Sequence, residues 1–509
     1  MRDYELKTAG IMTGNSLDGA DTVLTSFSAA GMRDLMSYSR PFPQFLKHYL
    51  NELRNLVNAH KGNVAAAEKD FDSAVARSSN EMRTDLEKES GAAASFAALS
   101  KYYVMFCAEA VRELTNNAIQ VGAIKTLADI DIVGFHGQTC AHFPPSIAKT
   151  KDVTELYTVQ LGDGQLLADL LGIPVVYDFR SDDLMKAGEA APLAPMHHLH
   201  LAESIATHPG ASIAFLNAGN SGNISITNLD RKPSVMGWDC GPCNHFSDLL
   251  AQRELSMLCD HDGAIGARGK INLDLLQILF ERAVITSKGE NFLLMQPPKS
   301  SDPEWYRPPA ELVGESQVGG AVLPLEQRLR TAQYFSAYCF FYSLSFLPED
   351  FPLPAVFVLS GGGWKNPVLL RHMQGLCAGD FGANPVLPMH HDLFAALSKK
   401  ILSSGAVQCR HAVDFGIDGT AMEARLFADA AVCRIEGVPY SLPEITGVKS
   451  ATVLGIVRFP GGNVESASPL VRRLWSDKTN LTPDGGASSK AWNRATAGWA
   501  VRLKNLPPK

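Results

Sequence analysis

Short apolar runs alternate along the chain with longer segments in which apolar residues recur at helical spacing. The clearest runs are DIVGFHGQT, GIPVVYDFR, SIAFLNAGN and PAVFVLSGGG, and each gives way to Gly, Asn, Asp or Thr. Runs of this kind, bounded by such residues, predict strands. A strand that stops at small polar residues delivers backbone N–H groups to one rim of a sheet, where α/β folds bind ligands. Residues 62–118 carry Ala, Phe, Met, Leu and Val among charges and predict amphipathic helices. The pattern as a whole predicts an α/β fold without internal repeats. Three stretches break it and read as surface excursions: about 286–320, about 378–412, and a tail after about 459 rich in Gly, Ser, Asn, Pro and Lys.

The N-terminal pattern predicts a hairpin, with strands over Leu6–Met12 and Ala20–Phe27 joined by TGNSLDG. Gly14, Asn15 and Ser16 would present N–H and O–H donors at its tip, a backbone concavity of the type that binds anions. Asp18 and Asp21 repel a bare phosphate but suit a Mg²⁺ that travels with ATP. The GxxxxGK[ST] loop is absent, and an ordinary polar turn is the other reading of this stretch alone. A second strand–turn–strand follows at 215–227, FLNAGNSGNISIT. A third run, VFVLSGGGWKN at 356–366, leads through Gly361, Gly362 and Gly363 into a helical pattern. Together the three turns resemble the two phosphate loops and the adenosine loop of actin-like kinases.

Composition narrows the classes. The 509 residues carry a formal net charge of -7 and lack a long basic block, which argues against nucleic acid as a partner. No run approaches the roughly 18 apolar residues of a membrane span. The N-terminus lacks the apolar core of a signal peptide. Nine scattered cysteines, an odd number, point to free thiols and a cytoplasmic location. Cys240 and Cys243 form a CxxC, and Cys259 and His261 could complete a zinc set on paper; ordinary thiols are the alternative.

The chain resembles the anhydro-N-acetylmuramic acid kinase family of the sugar kinase/actin/Hsp70 superfamily. The stretches that carry the resemblance include GIMTGNSLDGAD (10–21), GFHGQT (134–139), LNAGNSGNIS (216–225), GWDCGPCN (237–244), PPKS (297–300), SGGGWKNPVL (360–369) and DGTAMEA (418–424). They keep the family's order over some nine-tenths of the chain. The resemblance implies a two-lobed, actin-like (ribonuclease H-like) fold with an interdomain cleft. Lobe I would span 1–205 and lobe II 206–458, the last helix being free to return to lobe I, with 459–509 a loosely ordered tail. It implies an ATP- and Mg²⁺-dependent enzyme that opens the 1,6-anhydro bridge of 1,6-anhydro-N-acetylmuramic acid with water and phosphorylates O6. The product, N-acetylmuramic acid 6-phosphate, belongs to cell-wall sugar recycling. A homodimer is compatible with the resemblance.

Matched residue by residue, Asp239 takes the place of the general base and Glu423 that of a second acid in the site. Gly14, Asn15, Ser16, Leu17, Asp18, Gly19, Ala20 and Asp21 match the first nucleotide loop. Gly219 and Asn220 match the second, Gly361–Gly363 match the adenosine loop, and Asp18 is the expected metal ligand. His136, Gln138, Thr139 and Arg180 match the sugar side. Alternatives stand beside these: a structural ion pair of Asp178 with Arg180, a surface lysine at Lys299, and a cap at Asp260. Several positions depart from the family pattern. Asn15 replaces a hydroxyl donor, Asn220 and Cys243 replace glycines, and Glu189 places a carboxylate where the family has a neutral Gln. Those changes fit two further readings: a catalytically impaired sugar- or protein-binding module, or a kinase for another anhydro-sugar such as levoglucosan.

Overall fold

In the computed structural model the described residues are 3–14, 17–206, 211–230, 234–297, 299, 301–476 and 499–501. The chain folds as two units, Met1–His197 with Ala421–Lys509, and His198–Thr420. Both are α/β.

Unit 1 begins with β1 (Leu6–Thr13), β2 (Gly19–Ser28) and β3 (Gly31–Pro41), a continuous antiparallel meander. The helical pattern over 62–118 resolves into helices Val64–Arg77, Asn80–Ser90 and Phe96–Gln120. Asn63, Ser79 and Ser95 cap their N-termini by accepting from backbone N–H groups. β4 (Ile132–Phe143) then runs parallel to β1, β5 (Tyr157–Leu161) pairs antiparallel with the end of β4, and β6 (Val175–Tyr177) runs parallel to its start.

Unit 2 holds a five-stranded sheet ordered β11-β10-β7-β8-β9. Its strands are β7 (Ser212–Ala218), β8 (Gly222–Asn228), β9 (Ser234–Gly241), β10 (Val356–Ser360) and β11 (Gln408–His411). β7, β10 and β11 run parallel, and β7–β8–β9 form a meander. Helix Leu325–Ser343 is buried on nearly every side. Tyr334, Phe335, Tyr338 and Phe341 on it make the aromatic centre of this core.

The chain then rejoins unit 1. β12 (Ile456–Arg458) pairs with β6, and β13 (Trp499–Val501) with β5, which completes a sheet with the path β12-β6-β4-β1-β2-β3. Helix Met422–Glu436 lies across its centre. Gly10 and Gly134 are register partners on β1 and β4, directly beneath that helix. A Cβ on Gly10 would stand 1.9 Å from the Ala424 carbonyl oxygen, and one on Gly134 would stand 2.0 Å from that of Phe427. The glycine pair allows this close helix–sheet approach.

Each expected surface excursion needs correcting. Residues 286–320 bury Phe292, Leu293, Tyr306 and Leu312 in unit 2's core. Residues 378–412 supply helix His391–Ser404 and the edge strand β11. Residues 459–476, expected to open a loose tail, are built into unit 1. Helix Pro469–Ser476 buries Val471, and Ser468 Oγ donates to Asp131 at 3.0 Å. Leu470, Val471, Leu474 and Trp475 recur at helical spacing there, so the segment has an apolar face to bury. Apart from 499–501, the rest of the expected tail lies outside the described residues. Among the described residues no helix is long and apolar enough to cross a membrane.

Candidate active site

In unit 1 the expected sugar-side residues meet. His136 and Gln138 end the parallel part of β4, and Thr13 of β1 pairs with Gln138 in register. His136 is buried and stacks on Phe427 at 4.5 Å between centroids. Its Nε2 accepts from Arg180 Nε at 3.0 Å. That nitrogen is therefore unprotonated, and burial followed by the Arg180 charge holds the imidazole well below its ordinary pKa. Arg180 Nη1 donates to the Ala190 carbonyl at 2.7 Å. Burial lowers the guanidinium to about 10, while the charges of Glu423 and Asp183 push the other way. Gln138 Nε2 donates to the Gly14 carbonyl at 3.2 Å, so the first expected nucleotide loop is tied to the sugar-side strand. Gln138 Oε1 is buried with no donor among the described residues. Thr139 is half-buried and pairs with Gln160 of β5.

Glu423 opens the helix over the glycine pair. Burial raises its carboxyl, Asp21 raises it further and Arg180 opposes both. Asp21 sits on β2, where its Oδ1 accepts from Ser39 Oγ. Leu17 adopts φ +57° and donates its N–H to the Gly14 carbonyl, closing the first turn. Asp18 is exposed, and its carbonyl accepts from Phe42 N at 2.9 Å. Gly19 has no room for a side chain, because its Cβ would meet the Arg40 carbonyl at 2.2 Å. Ala20 is buried beside it. Asn15 and Ser16 lie outside the described residues, as do Pro298 and Ser300.

Unit 2 aligns a second set along one row of its sheet. Ser360 of β10 pairs with Asn217 of β7, Asn217 with Asn223 of β8, and Asn223 with Asp239 of β9. Strands lie about 4.8 Å apart, so the row spans about 14 Å from the glycine turn to Asp239. Gly361, at φ +89°, leaves no space for a Cβ, which would fall 2.5 Å from Asn217 Oδ1. A Cβ on Gly363 would fall 2.3 Å from Asn244 Oδ1, whereas Gly362 faces open space. Asn244 donates its N–H to the Gly219 carbonyl and its Nδ2 to that of Ala218. Gly219, Asn220 and Gly361–Gly363 are thus brought together around Asn244, which sequence reading did not single out.

Asp239 receives the most elaborate support. Its Oδ2 accepts from Ser301 N at 2.7 Å and from Ser301 Oγ at 3.0 Å. Its N–H donates to the Lys299 carbonyl at 3.1 Å, so Lys299 and Ser301 both bond to this one residue of β9. Lys299 is not a surface lysine: it is 8% exposed. Its Nζ donates to the carbonyls of Phe292 and Leu293 and sits over the Phe292 and Phe346 rings. Burial lowers the ammonium to about 8.

The family departures are accommodated locally. Glu189 places its carboxylate on Ser146 N and Ser146 Oγ. His245 and Asn220 are joined Nδ1 to Oδ1 at 3.1 Å. Cys243 is buried in the apolar core, and burial drives its thiol up. Cys240 is buried as well, near Ser343 Oγ, while Cys259 pairs with His261. Asp260 caps the backbone turn after it by accepting from Ile265 N and Gly266 N.

Comparison with known proteins agrees across the chain. A family model described as Anhydro-N-acetylmuramic acid kinase matches residues 86–382 and 376–460. The anhydro-N-acetylmuramic acid kinase of Methylorubrum extorquens is 30% identical over 458 residues, 89% of this chain and 99% of that protein. That of Vibrio cholerae is 28% identical over 451 residues, 89% of this chain and 98% of that protein. Among solved structures, the ROK hexokinase from Thermus thermophilus is 12% identical with a TM-score of 0.31, covering 84% of this chain and 99% of its own. The xylulose kinase from Rhodospirillum rubrum is 12% identical with a TM-score of 0.30, covering 79% of this chain and 98% of its own.

Proposed function

This chain belongs to the anhydro-N-acetylmuramic acid kinase family, and on that premise we propose that it hydrolyses and phosphorylates 1,6-anhydro-N-acetylmuramic acid in cell-wall sugar recycling. It is an actin-like sugar kinase of the cytoplasm that uses ATP and yields N-acetylmuramic acid 6-phosphate. The observation that carries the reading is Asp239. This carboxylate is held by two donors from Ser301, in one register row with the turn at Gly361–Gly363.

Asp239 takes a proton from water as the water oxygen bonds to the anomeric carbon. The C1–O6 bond breaks, and the electron pair left on O6 forms the bond to the γ-phosphorus while the β–γ bridge breaks and ADP leaves. The backbone around Gly219, Asn220 and Gly361–Gly363 receives the nucleotide. His136, Gln138, Thr139 and Arg180 orient the sugar, and Gln138 Oε1, which has no donor among the described residues, would accept from it. Asp18 would hold Mg²⁺. Burial and then the Asp21 charge raise the Glu423 carboxyl while Arg180 opposes them, and two carboxylates this close fit a cation there. When bound, that ion neutralises charge developing on the transferred phosphoryl group.

Glu189 and Asn220 have local partners and Cys243 is buried, which is compatible with the kinase reading. The test is ATP-dependent phosphorylation of 1,6-anhydro-N-acetylmuramic acid by the purified full-length protein, with levoglucosan in parallel and Asp239→Asn as control. Turnover of the muramic sugar that disappears in the variant is the expected result. Absence of turnover by the native protein on either sugar would sink the proposal.

A further inference from the structure

Asp239 stands at the end of a chain of hydroxyl groups. Ser301 Oγ donates to Asp239 Oδ2 at 3.0 Å, Tyr306 Oη lies 2.6 Å from Ser301 Oγ, and Ser221 Oγ lies 2.7 Å from Tyr306 Oη. A hydroxyl has one proton to give. Ser301 commits its proton to the carboxylate, so it accepts from Tyr306 Oη, which is placed to give its one proton either to Ser301 Oγ or to Ser221 Oγ. When Tyr306 donates to Ser301, the two O–H groups align toward Asp239. Each bond polarises the next, which strengthens the last donor.

The geometry around Tyr306 is fixed. The residue is 5% exposed, its ring meets that of His245 edge-on at 5.2 Å, and its N–H donates to the Pro303 carbonyl. Burial pushes its hydroxyl up to about 12, so it stays protonated and able to donate at neutral pH. Ser221 belongs to the second nucleotide turn, between β7 and β8. The hydroxyl chain thus links that turn to Asp239 by way of Tyr306, 85 positions from Ser221.

We propose that Tyr306 is a positioning residue for the reaction: through Ser301 it fixes the Asp239 carboxylate. The proposal rests on the reading of Asp239 as general base. Tyr306 touches neither sugar nor nucleotide in this scheme and acts only through Ser301. The titratable groups that interact with Asp239 include Lys299, Cys240 next to it on β9, and Tyr306 itself.

The experiment is a pH–rate series on full-length Tyr306→Phe, Ser301→Ala, the double variant and Asp239→Asn, with ATP and 1,6-anhydro-N-acetylmuramic acid as substrates. Losing a donor to the ionised carboxylate raises its pKa. Tyr306→Phe should move the acid limb of kcat/KM to higher pH and lower kcat by about 10-fold, with little change in KM. Ser301→Ala should move the limb further, and the double variant should match Ser301→Ala, because both act through one bond. A merely structural Tyr306 would lower thermal stability and leave the limb in place. Should Tyr306→Phe fail to fold, Ser221→Ala removes the competing acceptor, leaves the Tyr306 proton to Ser301, and should give a smaller shift of opposite sign, toward lower pH. An unmoved limb in whichever of these variants folds, with Asp239→Asn inactive, overturns the proposal while the base reading stands. Full turnover by Asp239→Asn overturns both.

Discussion

Gly10→Ala tests how the fold sets the site. Gly10 and Gly134 pave the sheet beneath helix Met422–Glu436, and a Cβ on Gly10 would stand 1.9 Å from the Ala424 carbonyl oxygen and 3.0 Å from Ala428 N. Real Cβ atoms essentially never come closer than 3.0 Å to another heavy atom, so the helix must retreat by more than about 1 Å. The obstructing atoms are backbone in mid-helix and cannot turn aside as a side-chain tip would. Overpacking of this kind costs about 1–3 kcal/mol, or a melting-temperature loss of several degrees for a domain of this size. The effect on catalysis should be larger than the effect on stability. Glu423 immediately precedes Ala424, so the displacement passes directly to a carboxylate of the site, and misplacement by about 1 Å can cost about 100-fold in rate. The assay pairs thermal unfolding with ADP release in the presence of the anhydro-sugar. Gly91→Ala is the control: Gly91 has φ +67° and open space around its Cβ position, so alanine there costs about 1–2 kcal/mol of local strain and should leave kcat unchanged. Wild-type kcat and melting temperature in Gly10→Ala would refute the close-approach argument, and equal loss of kcat in both variants would refute its link to Glu423.

Three more outcomes follow from buried groups. The Glu423 carboxyl is raised above 4.5 by burial and by Asp21, so the unfolded chain ionises first as pH rises, and stability is lost between 4.5 and the higher folded value. Glu423→Gln should therefore melt higher than wild type at neutral pH, with a flatter pH dependence of stability, while turnover is lost; a lower melting temperature would contradict this. Arg425, 1% exposed, pairs with Asp34 and donates Nε to His197 Nε2 at 3.3 Å. Arg425→Met should cost about 3–5 kcal/mol in chemical denaturation, because a buried carboxylate loses its counter-charge, and Asp34→Asn in the same chain should recover part of it. A Cβ on Gly188 would stand 2.1 Å from Asp183 Oδ1, an oxygen that already accepts from Ala190 N. Gly188→Ala should therefore disturb the Ala190 carbonyl that holds Arg180 and raise KM for the sugar more than KM for ATP; equal changes in both would argue against that path.

The strands and helices around the site were legible because their signals are local. Alternating apolar runs that stop at Gly, Asn or Asp marked β1, β2, β4, β7, β8 and β10, and the strand-to-helix passage at Gly361–Gly363 carried its own punctuation. The excursions were misread for a related reason. A polar, Pro-rich stretch such as 286–320 looks like surface when only composition is weighed, although its few apolar residues are what unit 2 buries. Lys299 shows the limit sharply: nothing in PPKS announces a lysine set over two aromatic rings with its Nζ on two backbone carbonyls.

By itself, the sequence determined the α/β class, the three glycine turns in their order and the family, because periodicity, turn chemistry and motif spacing are properties of neighbouring residues. Only the tertiary structure decided which side chains surround Asp239. Ser301 reaches Asp239 across 62 positions and Tyr306 reaches Ser221 across 85. It also decided that the Glu189 carboxylate rests on Ser146, 43 positions away. Hydrogen bonds between distant segments depend on register, strand twist and packing of the intervening core, and those are set by the whole chain at once.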